Sequence, residues 1–285
     1  MLKKIIFSAF VFCITFLSVL PVKAQNKRFI ISNWLKDGIE HYKHDSTLSD
    51  LISFYAEKQF GIPYKAGLLD KPKKEKLVIT LKGSDCVIYV ETSMALALTT
   101  LERDTSYNTF ANNLKLLRYR NGHIHGYFSR LNYFSDWLLT NQKKGLVSIV
   151  SQHWPDSVPM DSVYYMSHHR YQYPGLAHND SLLDLIKHKE RQLSQDSLKY
   201  LPKNKIPLYI RKINTGDILA FVTTVKGLDV SHTAIAYRKG DFLTFFHANP
   251  KHGITTEPLG LLPYIYSRKT VKGIIVARLK DLSPS

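Results

Sequence analysis

The periodicity of the chain changes near Ile213, and this change restricts the fold more than any other feature. Before it, apolar residues recur at spacings of three and four, the signature of helices with one buried face. In STLSDLISFYAEKQF these are Leu48, Leu51, Ile52 and Tyr55, behind a Ser/Thr cap candidate. Val87, Val90, Met94, Leu98 and Leu101 predict a helix that starts at Cys86 and runs to Thr100, and Phe110, Leu114 and Leu117 predict another that ends at RYRNG. Arg130, Tyr133, Phe134 and Trp137 predict a further helical face. After Ile213 come GDILAFVTTV, SHTAIAYR, DFLTFFHAN and VKGIIVARL, rich in β-branched and aromatic residues and separated by glycine-bearing turns. Helices followed by a mostly antiparallel sheet predict an α+β fold. A single domain over residues 25–285 is expected, with the polar, weakly periodic stretch 151–205 as a helical or loop insertion over one side of the core.

The N-terminus reads as a targeting segment. Lys3 and Lys4 precede an apolar run from Ile5 to Leu20, then Pro21 and Val22-Lys23-Ala24, which predicts a signal peptide over residues 1–24. The mature chain would have 261 residues (285 minus 24) and a net charge of +13, since only Lys3, Lys4 and Lys23 leave the total of +16. An exported, periplasmic or extracellular protein of this charge favours acidic partners such as cell-wall carboxylates over nucleic acid. No stable membrane insertion is expected once the signal is removed, and a monomer is expected.

Cleavage also removes Cys13 and leaves Cys86 as the sole thiol, so no intrachain disulfide can form. Such a cysteine is an intermolecular crosslink, an inert buried residue or a free reactive group. Gly83-Ser84-Asp85 supplies a turn and a cap directly before it, and a helix N-terminus favours thiolate, so a lowered thiol pKa is expected. A thiol nucleophile needs a base and a group that orients the base. If Lys239-Gly240 is a two-residue hairpin loop, cross-strand partners have numbers summing to 479, and His232 stands opposite His247 on one face. Lysine at the first loop position is the weak element of that register.

Other groupings are less specific. His123 with His125, and His168 with His169, have no cysteine or carboxylate cluster at ligand spacing, so no metal or other cofactor is expected. Arg118, Arg120 and Arg130 suit either a carboxylate fork or the favourable end of a helix dipole.

Taken in order, FGIPYKAG, SDCVIYVETSMALA, RYRNG, RLNYFSDW, TGDILAF, DVSHTAIAYR and FFHAN resemble the N-acetylmuramoyl-L-alanine amidase-like family, a branch of the NlpC-type, papain-like cell-wall cysteine peptidases. The resemblance implies a nucleophile helix packed on an antiparallel sheet, with Cys86 as nucleophile, His232 as base, His247 as orienting residue and Tyr64 beside the active site. Asp85, Arg130, Asp136 and Trp137 complete the substrate-binding candidates, Arg130 for a stem-peptide carboxylate and Asp136 for an amine. The function implied is an exported cysteine hydrolase of peptidoglycan or muropeptides, cutting MurNAc from L-Ala. D-Glutamyl-diamino acid cleavage on the same fold and a non-catalytic wall-binding role are the alternatives.

Overall fold

The computed structural model describes residues 27–42 and 46–280, so the expected signal peptide lies outside the described residues. Five helices come first: α1 (Lys27–His41), α2 (Leu48–Glu57), α3 (Cys86–Leu101), α4 (Tyr107–Arg118) and α5 (Phe134–Lys143). The anticipated cap of α2 is a full capping box. Thr47 Oγ1 accepts from the Asp50 amide at 3.2 Å, while the Asp50 carboxylate accepts from the Thr47 amide at 2.9 Å. Asp85 caps α3 by accepting from Val87 N at 3.1 Å and Ile88 N at 2.9 Å. From Ile88 to Thr100 every residue of α3 is buried, which makes it the central helix of the core rather than an amphipathic surface element.

The sheet is built from β1 (Val147–Ser148), β2 (Val158–Pro159), β3 (Lys199–Pro202), β4 (Ile218–Thr223), β5 (Val230–Lys239), β6 (Phe242–Asn249), β7 (Gly253–Thr256) and β8 (Val271–Leu279). Its order is β2-β3-β8-β4-β5-β6-β7, with β1 on β8, and its pairings are antiparallel. The mixture of helices and antiparallel sheet is the expected α+β class. One face, through Ile218, Ala220, Ile235 and Phe246, packs on α3. The other, through Leu219, Phe221, Ala234 and Phe245, is covered by Ile206, Ile213 and a short helix (Leu261–Ser267). Both faces are buried, which is why β4 reads as an unbroken apolar run.

Three sequence expectations are corrected. The β5–β6 loop is Gly240-Asp241, with Lys239 paired to Phe242, so partner numbers sum to 481. Glycine takes the position of positive φ, at 59°, where lysine would be strained. The supposed helical face from Arg130 begins instead at Phe134. Arg130 is extended and bridges Tyr119, and the α5 start is set by a distant residue, buried Asp229, which accepts from Ser135 N at 2.7 Å. Finally, the 151–205 stretch, expected as a helical or loop insertion, does contain a 16-residue helix (Asp180–Gln195) capped by Asn179, but through β3 it also extends the main sheet. Leu183, Ile186 and Leu193 of that helix are its buried apolar stripe. Tyr133 ties the insertion down, since its hydroxyl donates to Glu190 Oε1 and accepts from Met166 N, both at 2.7 Å. No described helix is long and apolar enough to cross a membrane.

Candidate active site

The start of α3 forms one wall of a cavity of about 310 Å³. Cys86, Asp85 and Thr233 line it with Tyr64, Tyr127 and Arg130, and the insertion closes the far side with Met166 and Tyr173. Thr233 points to α3 and donates through Oγ1 to the Cys86 carbonyl at 2.8 Å, which couples β5 to the helix start. Tyr64 is placed from two directions. Ser84 N donates to Pro63 O at 3.0 Å and Lys65 N to Ser84 O at 2.8 Å, while β7 holds the other end through Ile254 N to Ile62 O at 2.9 Å. That approach requires glycine at 253, where φ is 71° and a Cβ would lie 2.5 Å from Ile62 O. Burial, with Cys86 and Asp85 nearby, raises the Tyr64 pKa and keeps its phenol a donor.

The histidines meet although the expected register does not hold. A shift of two residues preserves the face of every side chain. Carried past Ile235, the observed register sets Ala234 opposite His247, and His232 becomes a diagonal neighbour within reach of a long ring. His232 Nε2 and His247 Nδ1 are 2.9 Å apart, with the rings edge to face at 5.2 Å. His247 Nε2 is buried without a hydrogen bond, and the nearest acid is Glu257, whose Oε2 is 3.8 Å away. Leu259 N holds the other Glu257 oxygen at 3.1 Å. With the His247 proton on Nε2, toward Glu257, the His247 Nδ1 is bare and His232 Nε2–H donates to it. His232 Nδ1 is then the unprotonated nitrogen, the state a base requires.

Electrostatics reverse one expectation. Burial pushes the Cys86 thiol up to about 11, with the Asp85 charge adding to the effect and Thr233 opposing it. Asp85 accepts from the Val87 and Ile88 amides, so these two donors of the helix start are not available to the sulfur. Burial, then His247 and Arg268, lower His232 to about 3, and burial and Arg268 lower His247 to about 4. Each group taken singly is therefore held neutral.

The histidine shifts make stability depend on pH. Both folded values lie below the unfolded value of about 6.5, so the unfolded chain binds more protons between these limits. The histidine contribution is complete above about pH 6.5 and is lost as pH falls toward the folded values, at up to about 1.4 kcal/mol per pH unit for each ring. Replacing both by glutamine should flatten the acid side of a melting-temperature profile between about pH 6.5 and 4. Buried Glu91 and Asp229, with raised pKa values, act in the opposite sense in both proteins and drop out of the difference.

Of the substrate-binding candidates, the structure brings Tyr64, Asp85 and Arg130 to the cavity and excludes two others. Trp137 is fully buried, and its indole donates to Glu91 Oε1 at 3.2 Å. Asp136 is buried against Arg120 at 2.6 Å and faces a different cavity. Both follow from α5 starting at Phe134, which turns these residues inward. Arg130 reaches the cavity wall, but its guanidinium binds Asp70, lies 3.9 Å from Glu75 and sits over the Tyr127 ring at 4.7 Å. Arg118 is also internal, bonded to Glu91 at 2.7 Å and Val78 O at 2.7 Å, where an unpaired charge would cost about 3–5 kcal/mol. Asp70, Thr233, Glu257, Met166 and Tyr173 were not anticipated. Thr233 lies within the quoted DVSHTAIAYR stretch but carries no catalytic signature of its own, and the other four come together with the site through tertiary contacts that no motif marks. Among the described residues, no group of three His, Cys, Asp or Glu is placed to hold a metal ion.

Fold and site together define an α+β protein in which the described cysteine opens a buried helix at a cavity, with a histidine pair on the neighbouring sheet. Residues 55–273 match the N-acetylmuramoyl-L-alanine amidase-like family, and the chain belongs to it. An N-acetylmuramoyl-L-alanine amidase from Bacteroides uniformis is 33% identical, with a TM-score of 0.78 over 83% of this chain and 100% of its own. A Bacteroides fragilis protein provisionally named a xylanase is 35% identical, with a TM-score of 0.74 over 79% of this chain and 99% of its own. LPG0564 of Legionella pneumophila, at 22% identity and a TM-score of 0.66 over 90% of this chain and 96% of its own, shares the fold. No curated protein matches the chain.

Proposed function

We propose that the protein is an exported, monomeric cysteine hydrolase with a papain-like, NlpC-type catalytic core, which needs no cofactor and cleaves the amide between MurNAc and L-Ala in peptidoglycan or its fragments. The observation that carries this reading is that Cys86, at the start of α3, lines a cavity whose β5 wall includes Ser231 and Thr233, the two neighbours of His232, and that His232 in turn lies 2.9 Å from His247. Family membership supports the substrate class.

In this mechanism the Cys86 proton passes to His232 Nδ1 as the sulfur attacks the lactyl carbonyl carbon. Burial disfavours a lone thiolate and a lone imidazolium alike, so the two charges form together and offset each other. The tetrahedral oxyanion accepts from the Cys86 amide, because Asp85 already holds those of Val87 and Ile88. His232 then protonates the departing L-Ala nitrogen as the C–N bond breaks and a thioester remains. Water, losing its proton to His232, adds to the thioester, and the thiol leaves with that proton.

The test is incubation of the mature chain with purified peptidoglycan and defined muropeptides, followed by mass analysis. The expected products are a MurNAc species with a free lactyl carboxyl and a peptide beginning at L-Ala. Cleavage after D-Glu would identify the endopeptidase, and binding without products would identify a wall-binding protein.

A further inference from the structure

Beyond the Asp70–Arg130 pair the catalytic cavity adjoins a second one, of about 930 Å³ against 310 Å³. The two share Leu69, Asp70 and Tyr127 in their walls. The second cavity lies between residues 69–75 and the insertion, whose Leu182 and Leu185 add an apolar side. Lys71, Lys73 and Lys74 line it, and all three are exposed. Its two acids are already engaged: Asp70 binds Arg130, and Glu75 accepts from the Tyr119 hydroxyl at 2.7 Å and lies 3.9 Å from Arg130. None of the three lysines has an ion-pair partner among the described residues. Three uncompensated ammonium groups and an apolar wall suit an extended ligand that carries several carboxylates on short aliphatic units.

We infer that this second cavity is a subsite for the distal carboxylates of the stem peptide, those of the diamino acid and the D-Ala that follows it. The inference rests on the proposed function, which puts the peptide on the leaving side of the scissile bond. The sugar chain is uncharged at an amidated lactyl group, so the anionic part of the substrate is the peptide. A peptide that begins beside Cys86 and continues past Tyr127 enters the lysine-lined cavity with its third and fourth residues. Selection for a long, unamidated stem would then reside in residues remote from the thiol.

The experiment compares a MurNAc-tetrapeptide having free carboxylates at its last two residues with the same compound amidated at both. The wild-type enzyme should favour the free acid about tenfold in kcat/KM, through KM, and the preference should shrink as salt rises. The variant Lys71→Gln/Lys73→Gln/Lys74→Gln should lose the preference while cleaving the amidated compound as wild type does. No wild-type preference, or an equal loss on both compounds, would overturn the subsite. Binding of the free tetrapeptide to Cys86→Ala protein, with and without the three lysine changes, separates this inference from the catalytic one. If wild-type enzyme cuts neither compound but the lysine changes weaken binding about tenfold, the subsite stands and the hydrolase reading falls. If the lysine changes leave binding as it was, the subsite falls whatever the turnover.

Discussion

Cys86→Ala should retain the circular dichroism spectrum and melting behaviour of the wild type and lose muropeptide hydrolysis altogether. The side chain is half-buried at the helix start, and the Thr233 bond goes to its carbonyl, so the contact between β5 and α3 survives the change. Alkylation tests the chemistry without substrate. A thiol held at about 11 has only about one part in ten thousand as thiolate at pH 7. In the proposed mechanism, reaction with iodoacetamide at that pH depends on transfer of the proton to His232. In His232→Ala protein, labelling of Cys86 at pH 7 should slow on the order of a hundredfold and recover only in strongly alkaline solution. Equal labelling in both proteins would remove His232 from the role of base.

His232→Ala should lower kcat by about 10²–10⁴-fold, the range ascribed to a positioned acid–base group. His247→Asn should cost less, about tenfold, because an amide can still accept from His232 Nε2–H and hold the ring. Glu257→Gln keeps the shape but removes the charge 3.8 Å from His247 Nε2, and its cost should be about threefold. A positioning role also makes a demand on the pH profile. Loss of a nearby negative charge disfavours imidazolium, so the acid limb of kcat/KM in Glu257→Gln should move to lower pH. A residue that merely supports the loop would leave the limb in place and change melting temperature instead. Equal losses in His232→Ala and His247→Asn would mean that base and orienting roles are not divided as drawn here.

The position of Cys86 at a helix start and of His232 and His247 on one face of the sheet was legible in the sequence because local chemistry is distinctive there. A capped helix start and a pair of strands joined by a tight turn are short-range features, and an error of two in register left both rings on the same face. Arg130, Asp136 and Trp137 were less legible because their roles depend on where α5 begins. That start is fixed by Asp229, a residue 94 positions away from Ser135. Without that bond the run from Arg130 reads as one helical stripe, and a buried structural network resembles a cleft. Within the expected helical or loop insertion, the bounds of the Asp180–Gln195 helix were not legible for another reason. Its buried stripe includes Glu190, which is polar but satisfied by Tyr133 and Ser167 N, so its periodicity is weak when only apolar residues are counted.

Periodicity and composition therefore carried the α+β class, the helix start at Cys86 and the common face of His232 and His247, since these depend on neighbours within one helical turn or one hairpin. The tertiary structure alone decided the resting charge state, the closure of the cavity by Met166 and Tyr173, and the approach of Glu257 to His247. Each of these depends on how far water is excluded and on which remote segments come together. Desolvation is a property of the packed molecule, and at Cys86 it outweighs the helix terminus that the local sequence advertises.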